Sequence, residues 1–142
     1  MVKKPTTKPD PGKELANYVT KKVKSLISKL PKKAEEIREF LQKQGYKGKR
    51  ASRAECPIAN YLKSNLCKEA HVEVGPLILY VDIESCNYSL SLDLPVKVRK
   101  FIIAFDDNHY KELKGRCRVK YNQDPKLEEL LTKYKKTLAS KS

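Results

Sequence analysis

Apolar positions along this chain recur first at helical spacing, then at alternate residues, then at helical spacing again. Leu15, Val19, Val23, Leu26, Ile27 and Leu30 form one stripe of a 3.6-residue repeat, with Lys13, Lys21, Lys24 and Lys29 off it. Asp10-Pro11 supplies a capping carboxylate and a proline suited to the first helical position, and Pro31 ends the helix. A second helix is predicted from about Pro31 to Gln44. Ala34, Ile37, Phe40 and Leu41 form its inner face, Glu35 and Glu36 suit its N-terminal half, and Gly45 stops it. Residues 46–55 read as a short basic loop. A third helix opens at Cys56-Pro57 and turns Ile58, Ala59, Leu62 and Leu66 inward.

The period then changes. His71-Val72-Glu73-Val74 reads as a short extended piece, broken by Gly75-Pro76, and Leu77 to Ile83 as a buried strand. After a turn at Glu84 to Asn87, alternation puts Tyr88, Leu90, Leu92 and Leu94 on one face and Ser89, Ser91 and Asp93 on the other. A fourth helix starts at Pro95 and faces Val98, Phe101, Ile102 and Phe105 inward. Arg116 to Tyr121 alternates basic and less polar side chains, as an edge strand would. Asp124-Pro125 repeats the cap-and-proline signal before Leu127, Leu130, Leu131, Tyr134 and Leu138. The expected class is α+β: a small antiparallel sheet, made of a hairpin over 77–94 and an edge strand over 116–121, with helices on one face.

Charge divides this one domain into parts. The chain of 142 residues has a net charge of +14. Residues 1–55 hold 16 Lys/Arg against 6 Asp/Glu, residues 56–110 hold 5 against 7, and residues 111–142 hold 10 against 4. Residues 1–9 are expected to be a disordered basic tail and 10–142 a single domain. In that domain basic helices (10–55) and a basic C-terminal strand and helix (111–142) flank a near-neutral core (56–110). Cationic flanks of this kind attract polyanions by counterion release and steering. No run approaches the length of a membrane span and no secretory leader opens the chain, so a cytoplasmic setting is expected.

Candidate chemistry is sparse. Cys56, Cys67, Cys86 and Cys117 contain no Cys-x-x-Cys pair, and structural thiols are expected ahead of disulfides or a metal site. Cys56 at a helix start could be an activated thiol or a cap. The cap is the expectation, since only His71 and His109 could serve as a base. Asp106-Asp107-Asn108-His109 reads as a turn ahead of a metal cluster. No cofactor, no metal and no catalytic residue is assigned. The first helix could lie on an anionic membrane or dock on a partner helix; packing on the core is expected, because its stripe is aliphatic.

The basic loop is the strongest candidate. Lys47, Lys49, Arg50 and Arg53 could contact phosphates, Gly48 could let backbone approach one, and Tyr46 could stack on a base. A solvated loop accounts for the same residues. Arg116, Arg118 and Lys120 would project from one side of an extended segment about 7 Å apart, as a phosphate track or as protection of a sheet edge.

The run from Gly48 to Leu62, centred on Cys56-Pro57-Ile58-Ala59-Asn60-Tyr61-Leu62, resembles a pattern in small uncharacterised bacterial and phage-borne proteins. The stretch Leu94-Pro95-Val96, Phe101 and Ala104-Phe105-Asp106 is similar to the same group. The resemblance spans residues 35–113 and implies no activity; the basic ends would be additions to it.

These readings together predict a non-catalytic accessory protein that binds nucleic acid, DNA or RNA, with little sequence specificity. Engagement of about six phosphates would weaken binding about a thousandfold between 50 and 200 mM salt. The alternative is an interaction module that docks on an acidic protein or nucleoprotein surface through a sheet edge or the C-terminal helix.

Overall fold

The computed structural model describes residues 11–141, so the expected basic tail over 1–9 and the Asp10 cap lie outside the described residues. Five helices follow the predicted stripes: α1 (Pro11–Ser28), α2 (Ala34–Lys43), α3 (Pro57–Ser64), α4 (Val96–Asp106) and α5 (Pro125–Lys141). Strands β1 (His71–Val74), β2 (Ile78–Ile83) and β3 (Tyr88–Asp93) form one antiparallel sheet in the order β1-β2-β3. The class is α+β, as the period changes predict.

Alternation fixes which side of the sheet is dry. Val72 pairs with Val81, Leu79 with Leu92 and Val81 with Leu90, so the branched and aliphatic side chains stack on one face. Val72, Val74, Leu79, Val81 and Ile83 are buried there. The other face carries Glu73, Tyr80, Asp82, Ser89, Ser91 and Asp93, and among the described residues no helix covers it. On the dry side the predicted α1 stripe is buried from Leu15 to Leu30, and the Thr20 and Tyr88 hydroxyls bond at 2.7 Å. The first helix therefore packs on the core, with Lys13, Lys21, Lys24 and Lys29 left outward.

The expected edge strand over 116–121 is not a strand. Among the described residues the sheet has three strands, and its third is β1. Residues 116–124 run as irregular backbone across α3, where Asn122 N–H donates to the Ser64 carbonyl at 2.8 Å. The predicted alternation does survive: Arg116, Arg118 and Lys120 are exposed, with Cys117 and Val119 half-buried between them. A period of two reports an extended chain lying on a surface, whatever pairs with its backbone.

The two basic ends of the sequence are neighbours in space, because α5 packs along α1 with Leu127, Leu130 and Leu131 buried. Asp124 joins them. Its carboxylate accepts from Tyr18 at 2.9 Å and from Lys22, and caps α5 through Leu127 N–H at 3.2 Å. Burial pushes the Asp124 carboxyl up, but these hydrogen bonds outweigh it and hold the pKa below the ordinary 3.8. A depressed folded value means stability that is present above the unfolded pKa and lost as pH falls through the folded one. Asp124→Asn keeps a capping oxygen and removes the charge. It should cost about 1 kcal/mol at neutral pH, solvent screening included, and flatten the acid limb below about pH 4. Thermal melts of both proteins across that range check this; parallel acid limbs would contradict it.

Candidate nucleic-acid interface

The sequence-distant basic segments meet over the polar side of α3. Asn60 and Ser64 stand one turn apart on that helix and are its buried polar residues, at 5% and 2% exposure. Asn60 Nδ2 donates to the carbonyls of Lys47 (2.7 Å) and Glu55 (3.3 Å), which pins both ends of the basic loop. Ser64 Oγ accepts from the Tyr46 hydroxyl at 2.9 Å and donates to the Lys120 carbonyl at 2.5 Å, which pins the other segment. Asn65 Oδ1 accepts from Asn122 Nδ2 at 2.9 Å.

Backbone pairing completes the junction. Gly48 N–H donates to the Leu113 carbonyl at 2.9 Å, and the Gly48 carbonyl accepts from Gly115 N–H at 3.1 Å. These bonds open a cleft of about 540 Å³ lined by Lys49, Glu55, Asn60, Arg116, Cys117 and Arg118. Lys47 stands at its rim, with Cδ 3.7 Å from where a Gly115 side chain would begin. Lys49 pairs with Glu55 at 3.2 Å; among the described residues Lys47, Arg116 and Arg118 are in no ion pair.

The chain matches no protein-family profile, no curated protein and no solved structure. Its function must therefore be argued from its own geometry.

Of the seven predicted cations, four gather at this cleft: Lys47, Lys49, Arg116 and Arg118. Lys120 follows two residues beyond, its side chain exposed and its carbonyl held by Ser64. Arg50 and Arg53 are placed elsewhere. Arg50 Nε donates to the Asp106 carbonyl at the C-terminal end of α4 (3.0 Å), and Ala51 N–H donates to Asp106 Oδ1 (2.9 Å). Arg53 lies against the Gly75 turn, and its carbonyl accepts from Val74 N–H at 2.8 Å.

Two expected roles in the loop are corrected. Tyr46 cannot stack on a base, because its ring is buried edge-on against Tyr61 at 5.7 Å. Gly48 offers no backbone to a phosphate, because it is buried and both its amide groups are used. Its missing side chain serves the close approach of backbone to the start of α3.

Cys56 is a cap. Its Sγ accepts from Ala59 N–H at 3.4 Å, and burial pushes the thiol up to about 11, against the lowering from the Ala59 and Ile58 amides. Such a thiol is protonated at neutral pH and a poor nucleophile. Asp106 to His109 terminates α4 and anchors the basic loop. Among the described residues no three His, Cys, Asp or Glu side chains stand close enough to share a metal ion.

Sequence reasoning overlooked Asn60 and Ser64. The signal was present: Asn60 interrupts the apolar run Ile58 to Leu62, and Ser64 follows one helical turn later on the same side, where polar groups are rarely placed without partners.

Of the two surfaces expected to meet an acidic protein, the apolar side of α5 is occupied by α1. The β3 edge has no strand partner among the described residues, but the open sheet face beside it bears Glu73, Asp82 and Asp93. Among the described residues no helix is long and apolar enough to cross a membrane.

Proposed function

We propose that this chain is a non-catalytic nucleic-acid-binding protein that holds the phosphate backbone in the cleft between residues 47–49 and 115–118. The observation that carries this reading is the backbone junction of Gly48 with Leu113 and Gly115, which joins cations from two sequence-distant segments. Isolated surface lysines are solubilising. A concave site with several like charges and a single acid, Glu55, holds its cations together against their repulsion and favours a polyanion. The outward lysines of α1 form a second cationic surface: no Asp or Glu occurs between Glu14 and Glu35.

The acidic-protein alternative is less well supported, because the open sheet edge borders a face that would repel such a partner. The cytoplasm, where nucleic acid is abundant and thiols stay reduced, suits both readings.

Salt separates the two cationic surfaces. Four cleft contacts alone should weaken binding to duplex about a hundredfold between 50 and 200 mM salt, and a fall nearer a thousandfold means the α1 lysines also engage. Fluorescence-anisotropy titration of a labelled duplex and of a single strand measures this. A flat response, or no association in dilute buffer, would remove the reading.

A further inference from the structure

The cleft contains one group that phosphate contacts do not explain. Asn60 is 5% exposed and lines the cleft, and both of its side-chain hydrogen bonds are donated by Nδ2. Its Oδ1 has no partner among the described residues. It also keeps some contact with solvent, because no fully buried side-chain oxygen in the described fold lacks a bond. The donors to the Lys47 and Glu55 carbonyls fix the amide orientation, so the group Asn60 has left to offer at a cleft it lines is a pure acceptor.

A phosphate is itself an acceptor and gains nothing from this atom. The complementary ligand carries an N–H donor next to an anion, and an unpaired nucleotide with an exocyclic amino group meets that description. Adenine, cytosine and guanine have such a group, whereas thymine and uracil have none. Arg116 and Arg118 at the same cleft would hold the flanking phosphates. A paired base keeps one amino hydrogen free in the groove, but the acceptor belongs to a residue only 5% exposed, so the base must leave the stack to reach it.

We infer that the Asn60 cleft receives one unpaired amino-bearing base, with its neighbouring phosphates on Arg116 and Arg118. This rests on the nucleic-acid reading and adds selection at one nucleotide to it. Phosphates supply most of the affinity, and the amino group decides which base settles in the cleft.

The test compares the intact protein with single-stranded deoxy-oligonucleotides of equal length and charge at one salt concentration. The bases are adenine, cytosine, thymine and purine, the last being adenine without its amino group. Adenine and cytosine oligomers should bind about tenfold more tightly than the thymine oligomer, and purine should fall to the thymine level. Cys117 lines the cleft and is partly exposed, so the adenine oligomer should slow its alkylation. Equal affinity for all four oligomers, or a preference that leaves Cys117 unshielded, would overturn the inference while the nucleic-acid reading stands. No binding to any oligomer would overturn both.

Discussion

Gly48→Ala should lower the stability of this protein by about 3 kcal/mol, far more than its added methyl group suggests. A Cβ at residue 48 would lie 2.3 Å from the Glu55 carbonyl oxygen and 2.6 Å from both Cys56 C and Pro57 N. All three are backbone atoms at the start of α3, so no rotamer change relieves the overlap. The loop must lift, and its bonds to Leu113 and Gly115 go with it. Thermal unfolding should move down by on the order of 10 °C, and oligonucleotide binding should weaken because the cleft loses one wall. Gly45→Ala is the control: nothing lies within 4 Å of its Cβ and its φ of +81° imposes only backbone strain of about 1 kcal/mol. If the two variants melt together, close packing at Gly48 is not what joins the basic segments.

Reversing two cleft charges, Arg116→Glu with Arg118→Glu, should weaken oligonucleotide binding about a hundredfold at moderate salt and reduce its salt dependence. Both side chains are exposed and in no ion pair among the described residues, so stability should change by no more than about 0.5 kcal/mol. Binding and folding are thereby read separately. The matched pair Arg50→Glu with Arg53→Glu removes as much charge from the same chain, but from side chains set against Asp106 and Gly75. It should cost less than about fivefold, by long-range repulsion alone. Equal losses from the two pairs would mean that overall charge, and no particular cleft, governs association.

The correction at residues 116–121 shows how far a sequence pattern reaches. Cations outward and Cys117 and Val119 inward is a property of an extended chain on a surface, and that much was legible. The hydrogen-bond partners were not. Ser64 of α3 holds the Lys120 carbonyl, Ser64 and its neighbour Asn65 hold Asn122 just beyond, and nothing within 116–121 names them. Tyr46 teaches the same lesson from the opposite side. A tyrosine beside lysines in a loop resembles a stacking platform, yet Ser64 and Tyr61 draw it into the core.

Local physics sufficed for the elements. Apolar spacing located five helices, Pro57 and Pro95 and the Asp124 cap marked three helix starts, and alternation through Tyr88 to Asp93 told the dry face from the wet one, because these depend on neighbours within a few residues. Assembly of the cleft depended on pairs far apart in the chain: Gly48 with Gly115, Asn60 with Lys47, and Ser64 with Lys120. Seven basic residues carry the same charge in the sequence wherever they end up. Only the packing of α3 beneath two loops gathers four of them around one cleft and turns Arg50 and Arg53 away.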